Sequence, residues 1–301
     1  MFLVTGETLA LVSALCFGIT HFVNGLLSRR VDGMTVALHA QLGGTVLALV
    51  LAPALPGDSA SLADYGWGAV SGVGTGVGVA FLYRAMSQGA MSVVVPVSDV
   101  GAVALPVLVG VVLLGERPAA LVWVGMAAVL PALWLVSQDT PGAVGGGKGL
   151  MPEGVPSALV ASVGIGLQFL AMAQVNGDSG LWPVMLSRVV SVVAIVVVLA
   201  SYGSRWTMPP GAWAAAVVAG MVGTAAIVLY LEATTRRLMA VATVLSSLYP
   251  AVPVVLALLF LGEGLNRRQG FGLLCAALSR VALPARHVGP FTDRASHRQA
   301  C

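Results

Sequence analysis

The chain has 301 residues, of which 58% are hydrophobic and only 9% are charged, and its formal net charge is +3. An ordinary soluble domain carries roughly 25% charged residues, so this composition excludes a soluble globular protein and indicates a protein that lies in a bilayer. The small positive charge forms no nucleic-acid-binding patch, and loops that face anionic lipid headgroups explain it.

Ten apolar segments are each long enough to span a membrane, which takes about 20 residues. Backbone groups in hydrocarbon must be hydrogen-bonded, which only helices and closed β-barrels achieve. The segments are too long for barrel strands and lack their alternation of apolar and polar residues, so they must be helices. The predicted fold class is therefore all-α integral membrane, with ten transmembrane helices. In chain order the predicted spans are 8–27, 34–53, 66–84, 92–114, 118–136, 155–175, 181–200, 211–231, 239–261 and 268–285.

A repeated tripeptide indicates that the chain is a duplication. Leu-Gly-Glu closes an apolar segment in each half, and its two glutamates, Glu116 and Glu263, are 147 residues apart. The same offset relates Tyr83 to Tyr230, and it also relates three further pairs: Gly76 with Gly223, Pro106 with Pro253, and Gly125 with Gly272. Repeats of glycine, proline and tyrosine at one offset are unexpected by chance in a chain dominated by Val, Leu and Ala.

The duplication divides the chain into a first repeat at 1–136, a Gly-rich linker at 137–154, a second repeat at 155–285 and a polar tail at 286–301. Five spans are an odd number, so the second repeat enters the bilayer from the opposite face. The sequence therefore predicts two inverted five-helix repeats, an arrangement typical of secondary transporters.

Both copies of the Gly-Glu pair have a structural interpretation. Gly115 and Gly262 can end a helix by adopting a left-handed conformation. Glu116 and Glu263 would then lie at the start of the next helix, where their charge meets the positive end of the dipole. A role in coupling or gating stays open as the alternative.

Ionisable side chains inside the spans are stronger functional candidates, since a charge in the bilayer costs about 2.5 to 3.5 kcal/mol even on the mildest scale. Asp99, next to Ser98, lies in the fourth span among apolar residues and is a candidate to take up and release a proton. Its alternative is a structural hydrogen bond to a neighbouring helix. Arg188 in the seventh span could bind an anionic substrate group, pair with Asp99, or extend to the interface as an anchor.

Further polar residues within the spans either line a wet pathway or tie helices together. The predicted pathway residues are His21, Asn24, His39, Gln168 and Gln174, with Tyr83, Tyr230 and Tyr249 as amphipathic walls and Ser246 opposite Asp99 in the repeat. Gln41 is a further polar position on the second span. Pro106 and Pro253 would bend their helices. Paired carboxylates, metal-spaced histidines and a nucleophile elbow are not apparent, so an enzyme, a metal and a cofactor are not expected.

The segment from Phe81 to Ala90, with Val93–Pro96, Pro106 and residues 114–118, resembles the EamA-type repeat of the drug/metabolite transporter superfamily, and the second copy is similar. This resemblance implies a ten-helix carrier of the cytoplasmic (inner) membrane with both termini cytoplasmic. The chain departs from the family pattern at Ala40. There the first repeat lacks the arginine that Arg188 provides in the second repeat.

The resulting expectation is an exporter of a small metabolite or drug-like compound, by alternating access, with protons as the candidate coupling ion. An uptake permease of the same fold and a non-transporting membrane assembly protein remain as alternatives. The expected partners are the lipid bilayer and a small-molecule substrate, and no nucleic acid.

Overall fold

A computed structural model of the chain describes residues 5–54, 59–99, 102, 109, 153–176, 179–236 and 249–263. Within these residues every regular element is helical. The helices are α1 (Gly6–Ser28), α2 (Gly33–Leu51), a short 3₁₀ helix (Ala52–Ala54), α3 (Leu62–Gln88), α4 (91–99), α5 (Val155–Met172), α6 (Trp182–Ser201), α7 (Pro210–Arg236) and α8 (Ala251–Phe260).

Six of these helices, α1, α2, α3, α5, α6 and α7, are long and apolar enough to cross a membrane. Their bounds follow the predicted spans to within a few residues, and a multi-pass membrane protein is confirmed. The predicted spans at 118–136 and 268–285 lie outside the described residues, while the span at 239–261 is described only from residue 249. That described part begins with a turn at Tyr249 and Pro250, after which α8 starts.

Capping side chains fix where several helices begin. Thr5 caps α1 by accepting from the Thr8 N–H, and Asp32 caps α2 in the same way from Thr35. At α3, Ser61 and Asp64 form a reciprocal capping box, which satisfies two of the N–H groups that a helix start leaves unpaired. This capping box starts α3 at Leu62, four residues before the apolar segment that predicted it.

The helices of the two halves interlock. By the offset of 147 residues, α1 corresponds to α5, α2 to α6 and α3 to α7. In the structure α3 packs against α5 and α6, whereas α7 packs against α1 and α2. The third helix of each half is therefore held by the first two helices of the other half, and α2 and α6 also contact each other.

Polar contacts at the helix ends define two faces of the molecule. On face A, Asp64 at the start of α3 accepts hydrogen bonds from the Asn176 N–H at 2.8 Å and from the Ser179 Oγ at 3.0 Å. Face B lies at the other end of α3, where Gly89 approaches the Glu153 carbonyl just before α5. Because α1 ends on face B, where Arg29 pairs with Glu263, and α5 begins there, α1 and α5 run in opposite directions.

Alternating glycines on α3 allow it to contact two helices at once. A Cβ on Gly72 or Gly76 would lie 2.5 or 2.6 Å from the carbonyl oxygen of Ser187 or Ser191 on α6. A Cβ on Gly74 would instead lie 2.7 Å from the Gly164 carbonyl oxygen on α5. These glycines allow close helix packing, which small residues at a helix interface permit.

The departure from the family pattern at Ala40 falls at a buried position. Ala40 is 3% exposed, and it lies where α2 meets α7 so closely that a Cβ on Gly220 would be 1.7 Å from the Ala40 carbonyl oxygen. A cationic side chain at this buried position would need a partner to offset its desolvation.

Candidate functional site

The candidate site is built outward from α1, which presents two polar side chains three residues apart on one helical face. Asn24 is fully buried, and its Nδ2 donates to the Tyr83 hydroxyl of α3 at 3.0 Å. The same hydroxyl lies 3.4 Å from His21 Nδ1. Asn24 Oδ1 is buried and has no hydrogen-bond partner within the described part of the chain, so one acceptor remains available to a ligand.

A second part of the site lies between α4 and the turn before α8. Asp99 is 4% exposed, and it accepts a hydrogen bond from the Tyr249 hydroxyl at 2.6 Å. The Tyr249 ring packs against His21, with ring centroids 5.6 Å apart, and against Phe17 at 5.8 Å. Through His21, the Asp99–Tyr249 pair is continuous with Asn24 and Tyr83.

The third part joins α2 to α6. Arg188 donates from Nη1 to Gln41 Oε1, and Gln41 donates from Nε2 to the Ser191 hydroxyl at 2.9 Å. Gln41 is 4% exposed and Ser191 is fully buried, so this amide is fixed on both sides. The Arg188–Asp99 pair stays a prediction beside this bond between Arg188 and Gln41.

These residues form one unit, the central polar cluster, which comprises His21, Asn24, Gln41, Tyr83, Asp99, Arg188, Ser191 and Tyr249. Arg188 also interacts electrostatically with His21 and Tyr83 of the first part. The cluster therefore holds the Arg188 guanidinium and the Asp99 carboxyl, each hydrogen-bonded to a neutral partner, together with aromatic rings. Such a site suits a small polar or charged solute.

Several predicted pathway residues lie outside the cluster. His39 Nδ1 lies 2.9 Å from the Thr35 carbonyl oxygen of its own helix, and the Ser98 hydroxyl donates to Val95 O one turn back. Tyr230, the repeat partner of Tyr83, packs near Ala10 between α1 and α7.

The two glutamines of the sixth predicted span are also separate from the cluster. Gln168 lies on α5, where its backbone approaches Gly74 of α3, and Gln174 follows the end of α5. Pro253 lies in the first turn of α8, a position that proline occupies without breaking a helical hydrogen bond. Ser246, Pro106, Gly115 and Glu116 are outside the described residues.

The sequence analysis names Gln41 only as a polar position on the second span, and it does not name Ser191. The offset of 147 residues, applied without a shift, pairs Arg188 with Gln41, and this signal identifies Gln41 from the sequence. No comparable pattern indicates Ser191, which joins the cluster by accepting a hydrogen bond from Gln41.

The second Leu-Gly-Glu lies on face B, away from the cluster. Gly262 has a φ of 64°, the left-handed conformation expected at this position. The carboxylate of Glu263 accepts from the backbone N–H groups of Met91 at 3.2 Å and Ser92 at 3.0 Å, and it pairs with Arg29. Burial alone would raise the pKa of Glu263, but the Ser92 and Arg29 interactions outweigh it and lower that pKa below its ordinary value.

Neither a metal centre nor the apolar surface groove competes with the cluster as a polar site. In the described ranges no three His, Cys, Asp or Glu side chains are grouped to hold a metal. A groove of about 300 Å³ between α3 and α5 is lined by apolar residues such as Val73, Val77, Val160 and Val163. Because this surface faces outward in an apolar helix pair, it suits lipid chains.

Comparison with known proteins gives a family and a fold. A family model described as "EamA-like transporter family" matches residues 4–138 and 153–283. A solved structure described as "Crystal structure of protein" has a TM-score of 0.56 and 15% identity, and the similarity covers 98% of this chain and 99% of that one. No curated protein matches.

Proposed function

Because the chain belongs to the EamA-like transporter family, we propose that it is a secondary transporter that exports a small metabolite or drug-like compound across the cytoplasmic membrane. The family is one of transporters rather than enzymes, and the similarity to a solved structure extends over nearly the whole chain. In this proposal the substrate binds near the middle of the bilayer, and the two halves rock to expose it alternately to each face.

The observation that carries the proposal is the partly buried contact between Arg188 and Gln41. Their separation of 147 residues is the offset of the repeat, so these are corresponding positions of the two halves. Corresponding residues can touch only next to the axis that exchanges the halves. The contact therefore supports a twofold axis between the halves and a central polar cluster that lies beside it.

Three side chains of the cluster define the chemistry of the proposed substrate site. Arg188 would bind an anionic group of the solute by displacing Gln41 Oε1, because a charge-assisted hydrogen bond is about twice as strong as a neutral one. Asn24 Oδ1 would accept a hydrogen bond from the solute, which would satisfy a buried acceptor. Asp99 would exchange the coupling proton.

The opposite directions of α1 and α5 also favour alternating access. Each third helix packs against the first two helices of the other half, so movement of one half carries a helix of the other with it. Glycines join α3 to α5 and α6. Because no large side chains fill these contacts, α3 can slide by small amounts against α5 and α6 without repacking.

The test begins with a deletion strain whose secreted and intracellular metabolites are compared with those of the parent. Compounds that accumulate inside the deletion strain are then assayed for movement by the purified protein in proteoliposomes. We expect saturable transport that needs the protein and responds to an imposed proton gradient. Transport equal to that of empty liposomes for every such compound would refute the proposal, whereas gradient-driven accumulation in the opposite direction would identify an uptake permease.

A further inference from the structure

The loop after α8 is tied to the other half of the molecule at face B. Glu263 Oε1 accepts from the Met91 N–H and Oε2 accepts from the Ser92 N–H, and the same carboxylate pairs with Arg29 at the end of α1. The side chain of Glu263 is only 11% exposed and that of Arg29 is 30% exposed. Here these four residues are named the face-B latch.

Helix α4 needs this carboxylate because its own sequence supplies no cap. Val93 and Val94 both donate to the Ala90 carbonyl oxygen, so Ala90 is the N-cap residue and has no side-chain acceptor. The first N–H groups of a helix have no intrahelical partner, and alanine is a poor N-cap. Glu263 therefore acts as a cap from a distant segment, and α4 loses that cap whenever the loop moves away.

Each of the two charges in the face-B latch lies at the helix end whose dipole favours it. Arg29 follows the last residue of α1, where the helix dipole favours a cation, and Glu263 lies at the start of α4, where it favours an anion. Gly262 allows the chain to turn toward α4, since its φ of 64° is strained for other residues and its surroundings are otherwise open.

The same two helices are tied a second time inside the central polar cluster. Asp99 lies on α4 seven residues after Ser92, which is about two helical turns. Tyr249 lies in the turn before α8, and its hydroxyl donates to Asp99. The α4–α8 pair is thus joined at the surface by Glu263 and in the interior by Tyr249.

We propose that α4 and α8 form the gate of face B, with the face-B latch as its outer tie and the Tyr249–Asp99 hydrogen bond as its inner tie. Both ties must release before face B opens. A solute that enters the cluster and competes for Asp99 or Tyr249 removes the inner tie. Binding of the solute therefore makes opening of face B easier. This inference rests on the proposed alternating access, but its test needs no substrate.

The experiment measures how fast a buried cysteine near face B reacts with a maleimide in the purified full-length protein. The reporter is Ser28→Cys, because Ser28 is 3% exposed and directly precedes Arg29. Its background replaces Cys16, Cys275 and Cys301 with serine. A second reporter, Ser201→Cys, lies at an exposed position at the end of α6 and corrects for differences in reagent or preparation.

We expect Glu263→Gln and Tyr249→Phe each to raise the Ser28→Cys labelling rate by about tenfold, the order of effect of losing one hydrogen bond to a charged group. Arg29→Lys should stay close to the parent and Arg29→Ala should resemble Glu263→Gln. The matched control is Arg30→Ala, which removes the neighbouring exposed arginine and should change nothing.

The decisive result is that of Tyr249→Phe, because this residue lies in the cluster and not in the latch. If Tyr249→Phe labels at the parent rate while Glu263→Gln labels faster, the latch is local and the two-tie gate is wrong. If Glu263→Gln and Arg29→Ala both label at the parent rate, the outer tie is wrong as well. Should Glu263→Gln fail to fold, Arg29→Ala and Arg29→Lys still decide the outer tie. A gate that opens as expected in a protein that transports nothing would refute the proposed function alone.

Discussion

Arg188 donates a hydrogen bond to Gln41, and the two residues are 147 positions apart, the offset that also relates Glu116 to Glu263. In the proposed inverted repeat this contact lies beside the axis between the halves. The two positions carry different side chains, so the centre of the molecule holds a single guanidinium bound to an amide. A repeat with identical residues there would place either two cations or two amides in contact.

The first prediction concerns Gln41→Glu, which places a carboxylate against the Arg188 guanidinium. We expect the melting temperature in detergent to rise, with a gain of about 1 kcal/mol, because a neutral partner becomes a charged one. The affinity for an anionic solute should fall, since the guanidinium is then neutralised. Gln168→Glu makes the same change at a half-buried position outside the cluster, and it should lower the melting temperature. Equal shifts for the two variants would contradict the proposed role of Gln41.

The second prediction concerns Gly220→Ala on α7. The added Cβ would lie 1.7 Å from the Ala40 carbonyl oxygen, and a backbone atom cannot move aside as a side chain can. We expect a loss of about 1 to 3 kcal/mol in the free energy of unfolding, although alanine is otherwise the better helix former. Gly211→Ala on the same helix meets nothing within 4 Å and should be tolerated. Thermal unfolding in detergent measures both, and equal stability of the two variants would contradict the close packing of α2 on α7.

The third prediction is a pH dependence of stability that comes from Glu263. Because the pKa of Glu263 is lowered in the folded protein from its ordinary value of 4.5, the ionised carboxylate stabilises the fold above that value. This contribution is lost as the pH falls through the lowered pKa. The stability difference between the parent and Glu263→Gln should therefore be large at about pH 7 and shrink below about pH 4.5. Thermal unfolding across this range measures it, and a difference that grows on acidification would have the wrong sign.

The fourth prediction concerns Asp99→Asn, which keeps the shape of the side chain and an oxygen that can accept from Tyr249. We expect this variant to fold normally and to lose proton-driven uptake into proteoliposomes, because an amide cannot carry the proton. Tyr249→Phe is the matched variant, since it removes the hydroxyl but leaves the carboxyl, and it should retain proton coupling. Proton-driven uptake that survives Asp99→Asn unchanged would exclude Asp99 as the coupling residue.

The sequence predicts the six candidate membrane spans of the described residues well, because apolar length is a property of the segment itself. Their ends are less predictable, as α3 illustrates. Hydropathy falls near Asp64 and Arg84, which limited the predicted span to 66–84, but the helix runs from Leu62 to Gln88. Its start is extended by the Ser61–Asp64 capping box, and Arg84 lies within the helix, where its guanidinium stacks over the Tyr202 ring at 4.6 Å.

The candidate site was only partly predictable, because its members are joined by contacts between distant segments. Polarity within a span identified Asp99, Arg188, Asn24 and His21, and the structure brings them together. Polarity gave the same weight to His39, but its ring nitrogen lies next to the Thr35 carbonyl oxygen of its own helix. The repeat likewise equates Tyr83 with Tyr230, yet only Tyr83 enters the cluster, since the environment of a side chain depends on which helix faces it.

Substitution of Arg188 gives the most direct measurement of the central claim. The assay is saturable transport and equilibrium binding of a solute identified from the deletion strain, with purified protein in proteoliposomes. We predict that Arg188→Ala weakens binding by about tenfold or more and abolishes transport, that Arg188→Lys retains a larger part of both because it keeps the charge, and that Gln168→Ala matches the parent. Affinities and transport rates equal to those of the parent for both Arg188 variants would contradict a substrate site at the central polar cluster.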